Sequence, residues 1–88
     1  MKLLLCRKCG DVFSMLTDCM RECLCGASIG GYTDDLNAEY SGPAIPIGFA
    51  NDSFTGALRR QPKKSPGERF TAFVIERDCP TFRKVKRK

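Results

Sequence analysis

Five of the six cysteines in this chain fall between Cys6 and Cys25, and four of them form two short turns. The first turn is Cys6-Arg7-Lys8-Cys9-Gly10. Two intervening residues let both sulfurs face one point, and the glycine permits the tight backbone path behind them. The second turn is shorter, Cys23-Leu24-Cys25-Gly26. Thirteen residues lie between Cys9 and Cys23, enough for a hairpin that returns the second pair to the first. Four thiolates so placed are a tetrahedral all-sulfur set, which zinc accepts readily. The spacing predicts one structural Zn2+ per chain on Cys6, Cys9, Cys23 and Cys25. Cys19 also has a feasible spacing to Cys23 and is an alternative to Cys23 or Cys25 as a ligand.

Other uses of the thiols fit less well. A chain of 88 residues has a thin core and often needs a metal, a disulfide or a partner as a staple. Disulfides call for export, and the only apolar run near the start, Leu3-Leu4-Leu5, is too short for a signal peptide or a membrane span. A reducing cytoplasm is therefore expected, where clustered cysteines more often bind metal. A redox C-x-x-C usually opens a helix, whereas Gly10-Asp11-Val12-Phe13-Ser14-Met15-Leu16 reads as strand. The chain has no histidine, which removes zinc-protease motifs and most nucleophilic dyads. Four sulfur ligands leave no open position for water. No enzyme is expected. Cys79 stands alone and reads as a small buried hydrophobe.

Apolar residues make up 42% of the chain, so a folded domain is expected over residues 1–80. Strands are expected at Lys2–Leu5, Asp11–Leu16 and Ile29–Thr33, and residues 33–43 are polar and turn-rich. Ala44–Phe49 is apolar, but Pro46 marks it as an edge strand or extended loop. Asn51–Arg60 is the best helix, with Asn51, Asp52 or Ser53 as cap and Phe54, Ala57 and Leu58 on one face. Arg69–Arg77 is the clearest strand, apolar on both faces, and reads as central in a sheet or as a subunit contact. The fold class is α+β, a metal-bound β-rich portion with an added strand–helix–strand portion and a basic C-terminal tail at 81–88.

Charge is uneven. Residues 1–58 carry four basic and seven acidic side chains; residues 59–88 carry eleven basic and three acidic ones. The basic residues Arg59, Arg60, Lys63 and Lys64 form one row, and Arg83, Lys84, Lys86, Arg87 and Lys88 form another. This is the electrostatic footprint of nucleic-acid binding, with Phe82 placed to stack on a base; an acidic protein partner is the alternative. A second candidate patch spans residues 28–54. Its glycines permit close backbone approach, Tyr32 and Tyr40 offer stacking faces, and Ser41, Asn51 and Ser53 offer polar contacts. A nucleotide is the ligand such a patch would take, although neither a Walker loop nor a dinucleotide fingerprint is present.

The two cysteine turns resemble the zinc-ribbon family over roughly residues 4–33, with C-x-C-G in place of C-x-x-C-G at the second turn. The segments CRKCGDVF, CLCG and LNAEYSGPAIPIGFAN together resemble short zinc-ribbon proteins encoded by bacteriophages. That resemblance implies a small accessory protein acting in the host cytoplasm, in host takeover or in evasion of host defence. It supplies no substrate and no catalytic residue.

Overall fold

The computed structural model describes residues 1–86. Eight short strands and one helix follow in the order β1 (Lys2–Cys6), β2 (Val12–Ser14), β3 (Arg21–Glu22), β4 (Ile29–Tyr32), β5 (Ala38–Ser41), β6 (Ala44–Phe49), α1 (Asn51–Arg59), β7 (Ala72–Val74) and β8 (Phe82–Lys84). They form two four-stranded sheets, β2-β1-β6-β7 and β3-β4-β5-β8. The first is antiparallel throughout; in the second, β8 runs parallel to β5. A parallel neighbour needs a long crossover, and here β6, α1 and β7 supply it. The β-rich α+β class is as expected.

One apolar cluster draws on both sheets. Leu4 and Cys6 of β1 and Phe13 of β2 meet Ala38 and Tyr40 of β5 and Phe82 of β8, with Met15, Cys23 and Ile75 added from the loops. Leu3 and Leu4 are both buried although they point to opposite faces, as a central strand requires. A satellite cluster docks the helix. Phe49 at the end of β6, Phe54 of α1 and Phe70 lie with ring centroids 4.8–5.0 Å apart, an arrangement favoured by the ring quadrupoles. Ala57 is buried with them, but Leu58 is exposed, so the buried helix face is narrower than the expected triplet. No side chain caps α1: its N-cap is Ala50, and the Ser53 hydroxyl donates to the Ala50 carbonyl and accepts from the Thr71 N–H.

Pro46 sits in the middle of a sheet and not at its edge, because β6 lies between β1 and β7. The Pro46 carbonyl accepts from the Ile75 N–H at 2.9 Å, so its missing donor also faces β7. β1 therefore loses no bond. Past Val74 only the one bond from the Ile75 N–H to the Pro46 carbonyl is available, without the reciprocal donor, and the β7 ladder ends there. The central strand expected over 69–77 is thus a three-residue edge strand with Phe73 and Val74 exposed. Phe70, expected within that strand, turns to the aromatic cluster instead.

The segment 81–88 is not a free tail over its first half. Phe82 is 1% exposed and meets Tyr40 edge-on at 5.1 Å, anchoring β8 beside β5. Its ring is thereby removed from any role in stacking on a base. Arg87 and Lys88 lie outside the described residues.

Candidate metal centre

Each cysteine turn closes one hairpin, and the two hairpins belong to different sheets. In the first, the Cys6 N–H donates to the Asp11 carbonyl at 2.9 Å and the Gly10 N–H to the Cys6 carbonyl at 2.8 Å. In the second, the Cys23 N–H donates to the Ser28 carbonyl at 2.9 Å and the Gly26 N–H to the Cys23 carbonyl at 3.1 Å. Both loops thus close between a cysteine and the residue five further on. Gly10 and Gly26 share φ +78°, a left-handed conformation that side chains disfavour. The C-x-C-G turn closes over the same span, with its second sulfur, its glycine and its inner hydrogen bond all one position earlier.

These turns bring the sulfurs of Cys6, Cys9, Cys23 and Cys25 within 4.8 Å of one another. Cys6 Sγ lies 3.8 Å from Cys25 Sγ, and Cys23 Sγ lies 3.5 Å from Cys25 Sγ. A tetrahedron with Zn–S bonds of about 2.3 Å has edges of about 3.8 Å, so the set can hold a metal ion. Cys6 and Cys23 are buried against the core, while Cys9 and Cys25 face outward. Cys19 is exposed and stands outside the group, as does Cys79, whose sulfur lies 3.3 Å from the Thr81 hydroxyl.

The surroundings favour charged sulfur. The Ser28 N–H donates to Cys23 Sγ at 3.3 Å. The Ser28 hydroxyl is fully buried and makes no hydrogen bond of regular geometry among the described residues. It lies beside Cys6 and, with the Cys9 and Lys8 N–H groups, outweighs burial to bring that thiol down to about 6. Burial pushes Cys23 up, but the Ser28 N–H and the Cys25 thiol outweigh it and hold Cys23 below its ordinary value. The Ala27 N–H favours a Cys25 thiolate, yet burial and the crowded sulfurs of Cys23, Cys9 and Cys6 prevail and push it up to about 11. Cys6 and Cys23 favour the charged form while the crowded sulfurs oppose it at Cys25, so a complete set of thiolates needs a cation at its centre. An orphaned buried hydroxyl next to a sulfur fits the same occupant, since it can donate to a metal-bound thiolate.

Asp11 and the β5–β6 turn brace the two knuckles. The Asp11 carboxylate accepts from the Leu24 N–H at 3.1 Å, tying the first turn to the second. The Pro43 carbonyl accepts from the Arg7 N–H at 2.7 Å. Next to Pro43, Gly42 has φ +103°, and a Cβ there would run into the Ala27 carbonyl and Ser28. Neither Asp11 nor Ser28 was a candidate from the sequence, because their roles depend on contacts across the knuckles and not on spacing.

The other candidate residues disperse. Arg59, Arg60, Lys63 and Lys64 are exposed at the end of α1 and beyond it, and Arg60 pairs with Glu68 at 3.0 Å. Arg83 pairs with Glu39, its register partner across β8 and β5, at 3.1 Å; Lys84 and Lys86 are exposed. The 28–54 patch does not converge. Tyr40 and Ser41 are buried in β5, and Tyr32 lies under the Lys2 ammonium at 5.5 Å. Asn51 accepts from the N-terminal amine at 2.6 Å, and Ser53 is engaged with Ala50 and Thr71. Tyr40, Ser41 and Asn51 line three different cavities. Among the described residues, no helix is long and apolar enough to cross a membrane. Compared with known protein families, curated proteins and solved structures, the chain matches none.

Proposed function

We propose that this chain is a non-enzymatic zinc-binding protein of zinc-ribbon type, in which one structural Zn2+ clamps the two sheets together and basic side chains contact nucleic acid or a nucleic-acid-associated complex. The observation that carries the metal reading is the convergence of four sulfurs from two knuckles on separate sheets. With four protein ligands the coordination shell is closed, and the ion's part is folding. A small accessory role in a host cytoplasm, as in the phage proteins that the motifs resemble, belongs to this reading.

The nucleic-acid part is supported by the concentration of positive charge in residues 59–88 and by the exposure of Lys63, Lys64, Lys84 and Lys86. Polyanion contacts of this kind add affinity without base specificity and weaken with salt. Titration of the zinc-loaded protein against duplex DNA, single-stranded DNA and RNA at several salt concentrations is the test. Binding whose log–log salt slope falls by about 0.7–0.9 for each cation removed supports the reading. Absence of binding to all three below ~100 µM, weaker than ordinary non-specific affinity, overturns it and points to an acidic protein partner.

A further inference from the structure

A cleft of about 430 Å³ opens between the two sheets, and Arg7, Arg77 and Lys84 line it without a single carboxylate. Its floor is Tyr40, Pro46 and Ile75. The three cations come from three separate parts of the chain. Arg7 belongs to the first cysteine knuckle, where its N–H is held by the Pro43 carbonyl. Arg77 follows the end of β7. Lys84 is the register partner of Tyr40 across β5 and β8, and the Val85 N–H donates to the Tyr40 carbonyl at 2.8 Å. The fold therefore assembles this cluster, and no run in the sequence shows it.

The cluster differs from the other basic residues in sharing one concavity free of carboxylates. Arg60 and Arg83 are neutralised by Glu68 and Glu39, whereas Arg7, Arg77 and Lys84, like most of the basic side chains, form no ion pair among the described residues. Like charges held around one concavity repel, and an anion in the middle relieves this. Burial raises the pKa of the Tyr40 hydroxyl, with Arg77 near enough to pull the other way. The phenol stays protonated and able to donate to an anion. The apolar floor beside the cations suits a ligand with a flat uncharged part next to its charge, and the volume is in the range of small-ligand sites.

We propose that this cleft is a phosphoryl-binding site, with Arg7, Arg77 and Lys84 holding the phosphate of one nucleotide unit and Tyr40, Pro46 and Ile75 carrying its uncharged part. The unit is either part of a single strand or a free nucleotide; the proposal rests on the nucleic-acid reading only for the choice of the strand. It replaces the 59–64 row as the main contact.

The test uses the full zinc-loaded chain with two fluorescent probes, a single-stranded oligodeoxythymidylate and a labelled adenosine nucleotide. Arg77 and Lys84 are exposed and are not knuckle residues, so their alanine variants leave the metal site intact. Arg77→Ala and Lys84→Ala should each weaken oligonucleotide binding about tenfold, the worth of one charge-assisted contact. Tyr40→Phe should weaken it severalfold with unchanged thermal stability. The double change of Arg59→Ala and Lys63→Ala should alter it by less than about twofold, as for peripheral charges. Oligonucleotide binding that ignores the cleft variants and falls with the 59–63 variant overturns the cleft and leaves the nucleic-acid reading standing. Nucleotide binding that depends on Arg77 and Lys84, without oligonucleotide binding, upholds the cleft and removes the nucleic-acid reading. Binding of neither probe overturns both.

Discussion

Cys6 Sγ lies 3.8 Å from Cys25 Sγ, across nineteen positions of sequence and across two sheets. Cys6 ends β1 in one sheet, and Cys25 lies in the turn between β3 and β4 of the other. An ion bound to both is a cross-link between sheets that also meet through a small apolar core and a few hydrogen bonds, that of the Leu24 N–H to the Asp11 carboxylate among them. Groups that tune these sulfurs or brace their turns therefore act on metal affinity and on stability together.

Ser28→Ala should weaken metal binding about tenfold, the lower end of what losing an outer-shell partner costs. The substitution removes the buried hydroxyl beside Cys6 and keeps the backbone N–H that donates to Cys23 Sγ. Competition against a chromophoric chelator measures the change. Unaltered affinity would show that the hydroxyl does not serve the thiolate.

Metal affinity should fall on acidification. At pH ~7 Cys25, with its pKa at about 11, is protonated in the metal-free site, and it must release that proton to bind zinc. Cys6, brought down to about 6, is already a thiolate at neutral pH and regains its proton as the pH drops through that value. The loss of metal should therefore steepen below pH ~6. Zinc retention measured against a competing chelator between pH ~8 and ~5 would show this, and a flat profile would contradict it.

Gly42→Ala should destabilise the fold by about 3 kcal/mol, from strain at positive φ and a backbone clash. Gly42 has φ +103°, and the added Cβ would meet the Ala27 carbonyl and Ser28, which follow the second knuckle. The same change should loosen the metal. Chemical denaturation with and without chelator separates the two effects. A variant as stable as the parent would mean that the β5–β6 turn does not brace the knuckle.

Phe54→Ala should lower stability by about 2 kcal/mol, less than a fully buried phenylalanine would, because Phe54 is only half-buried. Its loss unpairs the helix from Phe49 and Phe70. The zinc content should not change. Metal lost along with the helix would show that the two halves fold as one unit.

The cysteine turns were legible because ligand spacing is a local property of the chain. Cys25 is in the cluster and Cys19 is not, a choice that spacing alone left open. The first knuckle's strands and the helix were legible for the same local reason. What escaped was set by distant contacts. β5 hides in a polar stretch, where only the alternation of buried Ala38 and Tyr40 with half-buried Glu39 marks it. β8 hides in a run of basic residues, and the parallel pairing through Phe82 has no local signature. Pro46 argued for an edge, but a proline is tolerated centrally where its missing donor faces a strand that ends beside it. The cleft of Arg7, Arg77 and Lys84 depends on all of these at once.

The most direct measurement is native mass spectrometry of the protein purified from cells, followed by addition of a chelator. The expected result is one zinc per chain, retained by Cys19→Ser and Cys79→Ser and lost in Cys9→Ser and Cys25→Ser. Chelation should also unfold the N-terminal third, since structural zinc is worth roughly 10–16 kcal/mol of apparent binding free energy in finger peptides. A folded, metal-free protein that takes up no zinc when it is supplied would contradict the metal reading.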